Sequence, residues 1–152
     1  MFKDKILLAG AAGLMGAVSD ALINFLCFWL KITNETTSHF IAGIIFSSYS
    51  LNATQILMGL IGHLIAGAVI GLIPLLIYLW SGKKYPLIKG LAIGAAMWLN
   101  HVVLITSLVD RRFHNVPTES GILVELVSLS IWGIVTYGII AKYGPQITHP
   151  LD

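Results

Sequence analysis

The stretch "ILMGLIGHLIAGAVIGLIPLLIYLW", Ile56 to Trp80, decides the fold. Only His63 in it titrates near neutral pH. As a helix rising about 1.5 Å per residue it is about 37 Å long, enough to cross a hydrocarbon core of about 30 Å. Lipid offers no partner to free backbone N–H and C=O groups, so such a run must be helical. The alternation expected of a barrel strand is missing. Pro74 has no N–H to give the helix and predicts a kink near the end of the run.

Three further runs have the same character: Ile6–Leu30, Ile88–Leu108 and Ile122–Ala141. The whole chain agrees with them. Of its 152 residues 57% are hydrophobic and 11% charged, with a mean hydropathy of +0.86. Soluble domains are roughly 45–50% apolar and about 25% charged. The reading is an all-α membrane protein, a four-transmembrane-helix bundle forming one integral membrane domain over residues 1–152. The first run begins after Lys3 and Lys5 as a signal peptide does. Its apolar character continues through "LINFLCFWL", past a signal core of about 7–15 residues, which predicts an uncleaved helix.

The basic residues set a topology. Lys3, Lys5, Lys83, Lys84, Lys89 and Lys142 fall at the N-terminus, the second connection and the C-terminal end, against Lys31, Arg111 and Arg112 at the other two connections. The positive-inside rule then puts both termini in the cytoplasm. Trp29, Trp80, Tyr85 and Tyr143 lie near the run ends, where interfacial aromatics belong. "SGKKYP" predicts a tight turn, and Thr118 or Ser120 a cap for the last helix. The connection from Lys31 to Gln55 is long. Its apolar stretch, Phe40–Phe46, is too short to cross and predicts an interfacial or re-entrant segment.

Small residues recur at helical spacing: Gly13 and Gly16; Gly59, Gly67 and Gly71; Gly90 and Gly94. They let membrane helices approach closely, and they admit a homo-oligomer or a membrane partner as well as packing within one bundle. Cys27 is the only cysteine, which leaves no intrachain disulfide and makes a small apolar filler the expected role. A formal charge of +2, scattered over connections, gives no footprint for nucleic acid.

Each run holds polar residues that lipid would penalise: Asp20 and Asn24, His63, Asn100 and His101, and Glu125. On a rise of about 1.5 Å per residue, Asp20 lies about 3 Å and Asn24 about 9 Å outward of the midplane. His63, His101 and Glu125 come out at about 8, 4 and 10 Å. All fall in one half of the bilayer. Gly16, Asp20 and Asn24 share a stripe; His63 shares one with Gly59, Gly67 and Gly71; His101 follows Gly94 by seven. The cluster is therefore expected to face the bundle interior.

Three roles fit such a cluster. It could fix register through interhelical hydrogen bonds. It could bind a proton, an ion or a small solute. It could hold haem or a divalent metal through His63 and His101, although no HxxxH or ExxH spacing accompanies them. His39 and His114, with Asp110, Arg111, Arg112 and Glu119, sit in outer connections and could cover the cluster; a solvated loop is the plainer expectation. His149 falls in the tail. No nucleophile elbow, phosphate loop or dinucleotide fingerprint is present, so a non-enzymatic role is expected, with lipid as the first partner.

At "YPLIKGLAIGAAMWLNHVVLITSLV" the chain resembles small bacterial membrane proteins of the YqhR and YagU type. Those show a Pro or basic turn, a glycine-containing span, an outer loop and a final helix. "KKYPLIKGLAIG", "VPTESGILVEL" and "IWGIVTYGII" occupy those places here, and "GLIGHLIAGAVIG" resembles the span before the turn. The likeness runs from about Gly59 to Ile140, with His101 and Glu125 its most suggestive matches. It implies four helices in a bacterial plasma (inner) membrane. It implies no substrate and no catalytic residue.

Overall fold

The computed structural model describes residues 4–48, 50–105 and 118–145. It is helical, with no strand among the described residues. The helices are α1 (Lys5–Trp29), α2 (Thr37–Phe46), α3 (Ala53–Ile70), α4 (Leu72–Ser81), α5 (Pro86–Leu99) and α6 (Glu119–Tyr143). A π-helical segment, Asn100–Ile105, continues α5. Three helical stretches are long and apolar enough to cross a membrane: α1, α3 with α4, and α6. Asp110, Arg111, Arg112 and His114, the end of the third apolar run and His149 lie outside the described residues.

Local chemistry sets the helix ends. Asp4 caps α1 by accepting from the Ile6 and Leu7 N–H groups. Thr36 with His39, and Asn52 with Gln55, form capping boxes on α2 and α3. Each pair satisfies end N–H groups that have no intrahelical acceptor. Thr118, not Ser120, caps α6, accepting from the Gly121 N–H. The "SGKKYP" turn closes with positive φ at Gly82 and Tyr85, and Pro86 begins α5 at a position where no N–H is needed.

The break between α3 and α4 falls at Gly71. Pro74 explains it. The Ile70 carbonyl, four residues back, has no N–H to accept from and meets the proline ring. The interruption thus comes a turn before the proline.

Contacts fix the relative directions. Gly13 meets Gly67 and Gly71, whereas Ala9 meets Gly71 and Ala17 meets Gly67, so α1 and α3 run antiparallel. Gly16 meets Trp132 and Thr136, and Asn24 meets Ser128, so α1 and α6 are antiparallel too. Gly90 meets Ile134 and Gly94 meets Ser130, giving the same relation for α5 and α6. The Lys5 end of α1, the α4–α5 turn and the Tyr143 end of α6 therefore lie on one side. Trp80, Tyr85 and Tyr143 are exposed on that side, and Trp29 is exposed at the opposite end.

Two crossings depend on glycine. A Cβ on Gly13 would fall on the Gly67 carbonyl and 2.8 Å from Gly71 Cα. A Cβ on Gly90 would fall 2.6 Å from Ile134 Cα. Backbone lies against backbone at both places, as small residues permit in membranes. Gly16, Gly59, Gly67, Gly71 and Gly94 also face neighbouring helices, whereas Gly138 faces open space. The core between α1, α4 and α6 contains Ala12, Leu75, Tyr78, Trp132, Tyr137 and Ile140. Large apolar side chains point outward, among them Ile6, Leu22, Ile65 and Leu76.

Candidate functional site: two histidine–carboxylate pairs beside an interhelical cavity

The close approach of α1 and α3 at Gly13 and Gly67 lets His63 reach across. Its Nε2 lies 3.1 Å from the Ala17 carbonyl and 3.1 Å from Asp20 Oδ2. A carbonyl can only accept, so Nε2 carries a proton and donates it to Ala17. Asp20 is fully buried. Its Oδ2 stands at ion-pair distance from His63. Its Oδ1 accepts from Asn24 Nδ2 at 3.3 Å.

Asn24 carries the network to α6. Its Nδ2 also lies 3.0 Å from Ser128 Oγ, and Ser128 donates in turn to the Glu125 backbone carbonyl at 3.2 Å. One turn toward the start of α6, His101 Nε2 stands 3.3 Å from Glu125 Oε1. The polar residues thus assemble as two pairs, Asp20–His63 and His101–Glu125, bridged by Asn24 and Ser128. Ser128 is the part least visible in the sequence; a lone serine in an apolar helix is common, and only its spacing of three from Glu125 marks it.

Beside the pairs lies a cavity of about 230 Å³ between α2, α3, α5 and α6. Its wall is mostly apolar, with Ile41, Ala66, Met97 and Trp132, and carries His63, Asn100 and His101 as its polar groups together with Thr37. Asn100 and His101 enter the wall from the π-helical segment. Extra residues of this kind in α-helices frequently mark functional sites. Trp132 is held in place by its indole N–H, which donates to the Gly13 carbonyl at 3.3 Å.

A second, smaller and more polar cavity of about 40 Å³ lies toward the α1–α2 loop, lined by Asn24, Glu35, Thr36, His101 and Glu125 among others. It has room for a few water molecules. Phe40 and His101 border both cavities. Their rings are in contact, with centroids 4.8 Å apart. Nothing in the chain marks Phe40 beyond its place in the short apolar stretch.

Outside this region, His39 is tied to Thr36. Its Nδ1 accepts from the Thr36 N–H at 3.4 Å and lies 2.8 Å from Thr36 Oγ1. Burial pushes its pKa below the ordinary value. At the opposite end of the molecule Lys89 donates to the Ser81 and Gly82 carbonyls, and Tyr137 to Gly82, closing the end of α4.

For haem or a metal, both histidines offer an engaged Nε2. Among the described residues no group of three or more His, Cys, Asp or Glu side chains is placed to hold a metal ion. Comparison of the chain with protein-family models, with curated proteins and with solved structures finds no match.

Proposed function

We propose that the chain is a non-enzymatic, multi-pass protein of a bacterial plasma membrane that binds a small solute in the cavity beside its two histidine–carboxylate pairs. Membership of the YqhR and YagU type belongs to this reading. The bundle has four spans, the third made of α5 and its π-helical continuation, which together cover residues 86–105. Both termini are cytoplasmic, as the lysines near the α4–α5 turn and the helix ends favour.

In this reading α2 is re-entrant. Gly59 meets Ser38 and Ala42, and Gly62 meets Ile41 and Ile45. The contact pairs advance in the same direction along both helices. Consecutive helices in a simple hairpin pair in opposite directions, so α2 enters beside α3 and the segment after Ser47 returns to the outer side.

The observation that carries the binding role is the polar wall of an otherwise apolar cavity. Ligand sites are commonly apolar spaces with a few placed polar groups. Asp20 and Glu125 stand behind the two histidines and fix how the rings are presented, while Asn24 and Ser128 fix register between α1 and α6. The reading with haem or a divalent metal on His63 and His101 has no comparable observation in its favour.

Filling the cavity tests the role. Ala66→Phe places a ring in it from α3. Purified protein with Trp29, Trp80 and Trp98 replaced by Phe should take up a benzene-sized apolar probe, read by its effect on Trp132 emission and on thermal stability, and Ala66→Phe in the same background should not. Equal responses from both proteins would remove the cavity from the reading.

A further inference from the structure

The "SGKKYP" turn joins α4 to α5, yet the two helices pack on α6 rather than on each other. A groove of about 260 Å³ opens between them. Ile73 and Ile77 line it from α4, and Ala92 and Ala96 from α5. The two alanines lie four apart on one face of α5, both exposed, and their small size keeps the groove open. Toward the turn the wall ends in Lys89, its one charged group among the described residues. From Lys89 to Ala96 is two helical turns, about 10 Å.

The Lys89 ammonium reaches back to the turn, where the Ser81 and Gly82 carbonyls accept from it at 2.6 and 3.0 Å. A lysine ammonium has three N–H donors. These carbonyls use two of them, and both are neutral, so the positive charge is not cancelled. Lys83 and Lys84, exposed in the same turn, add to it. Asp4, on the same side of the molecule, is engaged by the Ile6 and Leu7 N–H groups at the start of α1. The exposed rings of Trp80 and Tyr85 mark this level as that of the lipid headgroups.

We infer that the α4–α5 groove holds one acyl chain of an anionic phospholipid, with the phosphate at Lys89 and the turn lysines. The site needs only a chain placed in a bilayer, so it stands or falls separately from the solute cavity. Hydrocarbon surrounds a span at this depth, and an unfilled groove would leave its wall without contact partners. Charge chooses the headgroup. Each basic residue at a membrane surface favours anionic over neutral lipid, and the groove directs one chain so that its phosphate meets three of them.

The test is native mass spectrometry of the full chain in detergent, titrated with phosphatidylglycerol and with phosphatidylcholine of the same acyl chains. The first phosphatidylglycerol should bind about three- to tenfold more tightly than the first phosphatidylcholine. Glycerol 3-phosphate, a phosphate without a chain, should not bind. Lys89→Gln keeps an amide donor for the carbonyls but loses the charge, and it should bind the two lipids about equally. Ala92→Phe fills the groove from an exposed position and should weaken phosphatidylglycerol to the level of phosphatidylcholine. Ala96→Phe fills it from the next turn and gives a second reading. Equal binding of the two lipids by the wild-type chain would overturn the inference, as would a preference kept by Lys89→Gln or by both groove-filling variants. Tight binding of glycerol 3-phosphate would remove the groove from the site. A dimer seen with the wild type and lost in Ala92→Phe and Ala96→Phe would give the groove to a second copy of the chain and overturn the inference too.

Discussion

Asp20 Oδ2 and His63 Nε2 stand 3.1 Å apart across the α1–α3 crossing, with the carboxylate fully buried. Neither residue can be changed without altering what the other faces. A double-mutant cycle with Asp20→Asn and His63→Gln should therefore be non-additive. The coupling expected for a polar pair between membrane helices is about 0.5–2 kcal/mol. Reversible unfolding in mixed micelles measures it. Additive losses would reduce the pair to two neighbours without interaction.

The glycines divide into those that hold backbones together and those that do not. Gly13→Val forces a side chain onto the Gly67 carbonyl and Gly71 and should cost at least about 1–3 kcal/mol, the range for overpacking. Gly138 has open space around it. Gly138→Ala should be neutral or stabilise by up to about 1 kcal/mol through helix propensity. Thermal melts of the two variants in one detergent give the comparison; similar shifts would contradict the packing described.

A topology with both termini on one side makes a labelling prediction. In a Cys27→Ala background, single cysteines at Asn34 and at Lys83, both exposed, should react with a membrane-impermeant thiol reagent from opposite sides of a sealed vesicle. Lys83 should label from the cytoplasmic face. Labelling of both from one face would rule out the up-and-down arrangement.

His39 gives the fold a pH response at the α2 end. Its Nδ1 is an acceptor in the Thr36 capping box, and burial lowers its pKa from the ordinary value. Protonation removes the acceptor, so the folded state disfavours the charged ring. The contribution is present above the unfolded value of about 6.5 and is lost as pH falls through the lower folded value. Wild-type stability should fall between neutral pH and about pH 5 by more than that of His39→Gln. Parallel pH profiles for the two proteins would count against the capping role.

Much of the fold could be read from hydropathy, because lipid constrains backbone chemistry so strictly. Runs such as Lys5–Trp29 and Glu119–Tyr143 leave little choice but a helix. Glycine spacing pointed to the contact faces for the same reason: in lipid, close approach needs small residues. Four things were harder to see. The interruption at Gly71 depends on a carbonyl four residues before Pro74, not on the proline's own place. The π-helical segment at Asn100 has no compositional mark. And the partner choice within the cluster depends on tilt and rotation, which a straight-helix depth estimate lacks. Asp20 and His63 came out about 5 Å apart in depth, and His101 and Glu125 about 6 Å, yet each pair is in contact. The packing of α2 on Gly59 was invisible as well, since ten apolar residues can lie at an interface or dip into a bundle with the same pattern.

Phe40 and His101, whose rings are in contact, line both the cavity on the α1–α2 loop side and the larger apolar one. A substitution at either ring therefore reshapes two walls at once, so a change aimed at the apolar cavity from Phe40 or His101 also alters the polar one.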